Sequence, residues 1–202
     1  MEISECPQCG AATTPSLRKC EYCKAEFFVS SLAYLGRFDS NGVGKYLEHY
    51  KDLTRRDPCD AEGLLGLGLC YLQMGTFPLA RKYFEKIIDA SPDISQAYYY
   101  YVLAGISGRR LMTLSLNEAR QFVTYLHTAI QLDDEMPQYK LLLAMLKRDY
   151  YETNGMRDSS PRAAELLAQI EGCNINRNEL ENLKAAVKVA KEDQYYELLV
   201  VR

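Results

Sequence analysis

The chain has no tryptophan and only two histidines, His49 and His127, in 202 residues. The histidines sit in separate helical stretches far apart in sequence, so imidazole-based catalysis has little to build on. Apolar runs of membrane length are missing too. None approaches the ~20 residues that span a bilayer, and no transmembrane segment is expected. Positive charge is not in excess: 24 Lys and Arg face 27 Asp and Glu, a formal charge of −3. That balance does not steer a protein towards nucleic-acid phosphates. The first six residues carry two glutamates and no apolar stretch, unlike a secretory leader. No Cys, Ser or Lys lies in a nucleophile motif. Gly42-Val43-Gly44-Lys45 approaches a phosphate loop but lacks the first glycine, and Tyr46 stands where Ser or Thr would meet Mg²⁺. Asp133-Asp134-Glu135 reads as a solvated helix end. No catalytic residue is assigned, and the chain is expected not to be an enzyme.

The chemistry that is present lies at the N-terminus, in Cys6-Pro7-Gln8-Cys9 and Cys20-Glu21-Tyr22-Cys23. Two residues between cysteines let a tight turn aim both sulfurs at one point. Two such knuckles make a tetrahedral S₄ set, which suits one Zn²⁺ with no open position, hence a structural ion. The competing readings are weaker. A redox dithiol is normally found beside a βαβ pattern, which is absent. Paired disulfides suit a secreted chain. Cys59, Cys70 and Cys173 bring the total to seven, an odd number with free thiols, which points to a reducing compartment and a cytoplasmic location. Cys70, in an apolar stretch, is expected to be a buried thiol.

The residues of this segment resemble the short zinc-ribbon family. The likeness rests on Cys-Pro-x-Cys-Gly at 6–10, Cys-x-Tyr-Cys at 20–23 and Phe27-Phe28, and covers about residues 3–29. Lys24 departs from the pattern at a place where glycine is common. The resemblance implies β-hairpin knuckles in a small domain, residues 1–29.

A second pattern occupies residues 61–94. Leu64, Leu67, Gly68, Tyr71, Ala80, Phe84 and Pro92 fall at the spacings of the tetratricopeptide (TPR) repeat, a helix–turn–helix of about 34 residues. Only Leu64, where that family has tryptophan, departs. Leu64, Leu67 and Tyr71 share a helical face, and Gly68 lets the partner helix approach. One repeat cannot bury its own faces. Lys45 to Pro58 reads as the second helix of a preceding unit, and about 95–136 as a degenerate repeat. Within it, Ser115 and Glu118 form a capping box that opens a helix at 116–132. Pro137 opens a helix reaching Asn154-Gly155. Ser160-Pro161 opens 161–171, and Asn178 caps a final helix with Lys184, Lys188 and Lys191 outward. The expected fold is all-α: a TPR-like helical-repeat solenoid over residues 30–202, preceded by the ribbon.

The resemblance to TPR proteins implies an interaction scaffold that holds a partner peptide or helix in a groove lined by first helices. Its register assigns Leu65, Leu69, Leu72, Tyr99, Leu103 and Ile106 to that groove. Leucines replace the Lys, Asn and Arg of the family's carboxylate clamp, so an apolar ligand is expected rather than an acidic tail. Lys140, Lys147 and Tyr151 suggest a second, mixed face. A homo-oligomer is compatible with these features. The alternative is a nucleic-acid-associated factor in which Tyr22, Phe27 and Phe28 of the ribbon stack on bases. Residues 1–29 hold three basic side chains against four acidic ones, the wrong balance for phosphate.

Overall fold

A computed structural model of the chain describes residues 5–14, 17–106, 108–157 and 159–187. Their regular structure is helical, in agreement with the expected all-α, TPR-like class. Nine α-helices occur among the described residues: α1 Leu32–Leu35, α2 Ser40–Arg56, α3 Ala61–Gln73, α4 Phe77–Ala90, α5 Ser95–Ile106, α6 Leu116–Leu132, α7 Pro137–Leu146, α8 Ala163–Ile170 and α9 Arg177–Ala186. None of the helices is long and apolar enough to cross a membrane.

The chain divides into two compact units, Met1–Ser91 and Pro92–Arg202. The first 29 residues, expected as a domain by themselves, share the first unit with α1–α4. In that unit α2 packs on α3 and α3 on α4. The TPR pattern supplies the seam. Gly68 of α3 faces the Phe84 ring of α4 so closely that a Cβ would lie 2.4 Å from it. Leu64, Leu67, Ala80 and Phe84 are all buried, and α4 ends at Ala90, before Pro92. The turn between the helices holds Gly75 at φ +73°, a left-handed conformation that favours glycine.

The second unit repeats the device. A Cβ at Gly105 of α5 would lie 2.4 Å from the Phe122 ring of α6, and α6 continues onto α7. The helix α6 has the expected limits. Ser115 Oγ accepts from Glu118 N–H, and Glu118 Oε2 accepts from Ser115 N–H at 2.9 Å, a complete capping box. After α7 the chain takes one π turn, Lys147–Glu152, in which Thr153 N–H reaches back five residues to the Arg148 carbonyl. The helix α8 packs on α7, and α9 lies against α5 and α7.

Several expected boundaries shift. The helix α2 begins five residues before Lys45, because the Asp39 carboxylate caps the Gly42 amide. The stretch from Gly42 to Lys45 is therefore the opening of a helix. The helix α5 stops at Ile106, short of Arg110, and a 3₁₀ turn, Leu111–Thr113, follows. Ser160 does not cap α8. Its hydroxyl donates to Glu165, whose carboxylate accepts the Arg162 amide. Lys147 is fully buried, with Nζ donating to the Ser159 carbonyl at 2.8 Å, so it forms no outward face with Lys140. Lys188, Lys191 and residues 192–202, expected in or beyond the last helix, lie outside the described residues.

Candidate metal centre

The two cysteine knuckles have one backbone pattern. In the first, Cys6 N–H donates to the Ala11 carbonyl (2.8 Å) and Gly10 N–H to that of Cys6 (2.8 Å). In the second, Cys20 N–H donates to Ala25 (2.8 Å) and Lys24 N–H to Cys20 (3.0 Å). Each turn is closed by a single antiparallel bridge, Glu5 with Ala12 and Lys19 with Glu26. The expected β-hairpins are reduced to these bridges, with no longer strand among the described residues. The residue after each knuckle is left-handed: Gly10 at φ +72° and Lys24 at φ +62°. Lys24, which stands where zinc ribbons commonly have glycine, is the one non-glycine with positive φ among the described residues. It carries the strain that glycine would avoid.

Facing each other, the knuckles bring Cys6, Cys9, Cys20 and Cys23 together, with all four sulfurs within 4.8 Å of one another. Cys6 Sγ lies 3.6 Å from Cys23 Sγ, and Cys9 Sγ 3.7 Å from Cys20 Sγ. These separations are far above the ~2.05 Å of a disulfide, and all four cysteines are free. A regular ZnS₄ tetrahedron with Zn–S near 2.3 Å has edges of about 3.8 Å. The quartet therefore fits such an ion with little movement. Cys6 and Cys20 are buried, and Cys9 and Cys23 are exposed. No other group of three or more His, Cys, Asp and Glu ligands converges among the described residues.

The knuckle amides prepare the sulfurs for a cation. The backbone N–H of Cys23 and then that of Tyr22 act on Cys20 Sγ and hold this thiol down to about 6. Burial pushes Cys6 up to about 12, against the Cys9 and Gln8 amides that lower it. The Cys23 and Tyr22 amides favour the thiolate form of Cys20, the form that would ligate a divalent cation.

The surroundings of the quartet were not legible in the spacing. Cys6, Cys20, Ala25 and Phe27 form a small core, with Ala11, Leu17 and Phe28 against it. Of the three aromatics considered for base stacking, Tyr22 is 75% exposed, Phe27 is fully buried and Phe28 stacks under Arg18 at 5.5 Å. Beyond this core, the ribbon is tied to α1 and α2. Gln8 Nε2 donates to the Gly42 carbonyl (2.9 Å), and Lys45 Nζ to the Gln8 carbonyl (2.8 Å). Glu26 N–H donates to Tyr34 Oη (2.6 Å), and Tyr46 O–H donates to the Glu26 carbonyl (2.6 Å). Tyr34 and Tyr46 hydroxyls lie 3.2 Å apart, so the remaining Tyr34 proton closes the loop on Tyr46 Oη. Val29 N–H donates to Tyr50 Oη (2.7 Å), and Tyr50 O–H to the Phe27 carbonyl (3.2 Å). Burial holds the Tyr46 and Tyr50 hydroxyls well above the usual tyrosine range, so both keep the protons they donate.

The six groove positions are all enclosed. Leu65 and Leu72 are 8% exposed, and Leu69, Tyr99, Leu103 and Ile106 at most 1%. These residues form no exposed apolar strip. His49 lies on α2, where burial lowers its pKa, and His127 lies on α6.

No family model matches the chain, and the curated proteins gave no match. Among solved structures the chain is similar to the crystal structure of MamA, a TPR-like helical protein, with a TM-score of 0.53 and 19% identity. The match covers 78% of this chain and 84% of that one. The fold is thus that of a TPR-like helical protein, preceded here by a four-cysteine site able to hold a metal ion.

Proposed function

We propose that the chain is a non-enzymatic scaffold that binds a protein or peptide partner through its helix pairs and holds one structural Zn²⁺ at Cys6, Cys9, Cys20 and Cys23. The observation that carries the reading is the close glycine–phenylalanine seam in two successive helix pairs, Gly68 on Phe84 and Gly105 on Phe122. Such seams build tightly closed helix pairs whose outer faces are open to association. The four-sulfur set supports the zinc assignment, because four thiolates fill a tetrahedral ion and leave no position for substrate. This reading assigns Leu65, Leu69, Leu72, Tyr99, Leu103 and Ile106 to the packed interior. Partner contact falls to exposed side chains such as Met74 and Leu79 of the first unit and Met112 and Leu116 of the second.

The test uses the full zinc-loaded chain with a photo-crosslinking residue at Met74 or Met112, followed by mass spectrometry of the products. A recurrent protein or peptide, whose complex is then reconstituted from purified components and lost with Met74→Glu plus Leu79→Glu or with Met112→Glu plus Leu116→Glu, supports the reading. Stoichiometric binding of a nucleic acid in place of a protein would overturn it.

A further inference from the structure

Among the described residues, the helix α2 has no full-length helix on its N-terminal side. Helical-repeat arrays bury each helix between others and need a cap at the end. Here the preceding helix, α1, has four residues, yet Tyr46 and Tyr50 of α2 are fully buried. The Tyr46 ring packs on Tyr34 and Phe38 and the Tyr50 ring on α3, and both hydroxyls meet the backbone of residues 26–29, directly after the second knuckle. Among the described residues, that segment pairs with no second strand beyond the Lys19–Glu26 bridge. The Glu26 and Val29 amides and the Glu26 and Phe27 carbonyls meet tyrosine hydroxyls instead, while the Phe27 amide donates to the Arg18 carbonyl. The first knuckle is fixed separately, by Gln8 on Gly42 and Lys45 on Gln8. Tyr50 also touches α3: a Cβ at Gly66 would lie 2.4 Å from its ring. A continuous path therefore runs from Cys20 and Cys23 through residues 26–29 to Tyr50 and on to α3.

Resting on the zinc reading above, we infer that the four-cysteine centre is the N-terminal cap of the helical array, its occupancy transmitted to α2 and α3 by Gln8, Lys45, Tyr34, Tyr46 and Tyr50. Without the ion, the knuckles keep a four-residue core with three half-buried neighbours and their hydrogen bonds to the helices, a small interior for a segment of this size. Residues 26–29 are then released, and the buried tyrosine hydroxyls lose their partners. The same connection works in reverse. The helices hold the knuckles in the binding geometry, so the centre binds its ion as part of the folded unit.

The experiment is hydrogen–deuterium exchange on the full chain, charged with Zn²⁺ and then stripped by a chelator, with zinc content measured in parallel. Peptides from residues 5–29, α2 and α3 are followed, with α6 as the internal reference. Stripping is expected to speed exchange about tenfold or more in α2 and α3 as well as in residues 5–29, a tenfold change corresponding to ~1.4 kcal/mol, while α6 is unaffected. Tyr46→Phe with Tyr50→Phe keeps the rings and removes the hydroxyls. This variant should still bind one Zn²⁺ per chain, with exchange in α2 and α3 no longer responding to it. Should it fail to fold, Gln8→Ala with Lys45→Ala leaves the tyrosines in place and should reduce the response of α2. Loosening confined to residues 5–29 overturns the cap while leaving the zinc site standing. An unreduced response in both variants overturns the route through these side chains. Absence of bound zinc in the untreated protein overturns the zinc reading itself.

Discussion

Two glycine-to-alanine changes should shift stability in opposite directions. Gly44 lies inside α2 with nothing within 4 Å of a Cβ built on it. Alanine there gains helix propensity without a clash, and Gly44→Ala is expected to stabilise by about 0.5–1 kcal/mol. Gly68, in α3, is equally helical but faces Phe84. The added Cβ would meet ring carbons at 2.4, 2.8 and 2.9 Å, where carbon atoms settle at about 3.5–4.0 Å. The ring must retreat by roughly 1 Å. Phe84 is fully buried, so its retreat displaces packed neighbours. Overpacking of this kind costs about 1–3 kcal/mol, offset by the same gain of ~1 kcal/mol in propensity. The net expectation for Gly68→Ala is destabilisation by about 1 kcal/mol, and at most about 2 kcal/mol.

Thermal unfolding of the zinc-loaded chain reads the difference. At about 2–4 °C per kcal/mol for a chain of this length, the two variants should melt roughly 4–8 °C apart, on opposite sides of the wild type. Phe84→Leu, added to Gly68→Ala, makes room for the methyl group. A double-mutant cycle should then show favourable coupling of about 1 kcal/mol. If Gly68→Ala melted at or above the wild-type temperature, the α3–α4 seam would not be closed at this point, and the argument for tight helix pairs would fail with it.

Cys20→Ser should reduce bound zinc from one per chain to background in elemental analysis of protein purified under reducing conditions; full retention would refute the ligand set. Lys24→Gly removes the left-handed strain at the second knuckle and should stabilise the chain by about 0.5–1 kcal/mol in chemical denaturation; a loss of stability would count against the knuckle geometry. The Glu118 carboxyl is lowered from 4.5 to about 2 by the Ser115 amide first and the Arg109 guanidinium second. Its contribution is fully present above pH 4.5 and is lost as pH falls from there towards 2. Glu118→Gln should flatten the melting temperature over that interval, and an unchanged slope would assign the acid sensitivity elsewhere. Leu69→Glu with Leu103→Glu places carboxylates at positions at most 1% exposed, at a cost of several kcal/mol. The expected result is loss of the helical circular-dichroism signal; an intact fold would return these leucines to an open groove.

The features readable in the sequence were those set by short-range covalent or steric rules. Cysteine spacing fixes where two sulfurs can point, so the quartet was legible before any fold. The pairing of Gly68 with Phe84 follows from a helix–turn–helix of fixed length, and the Ser115–Glu118 box needs only three intervening bonds of chain. The start of α2 was hidden because Gly42 and Gly44 depress helix propensity, while the cap at Asp39 and the packing of residues 42–47 outweigh it. The π turn at Lys147–Glu152 has no local signal. The tyrosine clamp was hidden for another reason. Tyr46 and Tyr50 were recognisable as one helical face, but their hydroxyls meet backbone groups of residues 26–29, some twenty residues away. Periodicity says which residues face inward and nothing about what satisfies their polar ends.

The enclosure of the six groove positions has a cause that the sequence did contain. A helix that lines an open groove is apolar on one side and polar or adaptable on the other. The helix α3 carries leucine at 64, 65, 67, 69 and 72, on all sides, and in α5 every residue except Gln96 is buried. Helices apolar all round are enclosed ones. By contrast, α2, α4 and α6 alternate buried apolar residues with charged ones. On the scaffold reading, a partner therefore meets exposed apolar side chains at the turns and second helices, Met74, Leu79, Met112 and Leu116, set in faces of mixed charge. Charge complementarity across these faces sets association rate and specificity more than affinity, which the apolar contacts supply. Binding should accordingly weaken as salt rises through the range where surface charges are screened, whereas an apolar groove would have bound its ligand with little dependence on salt.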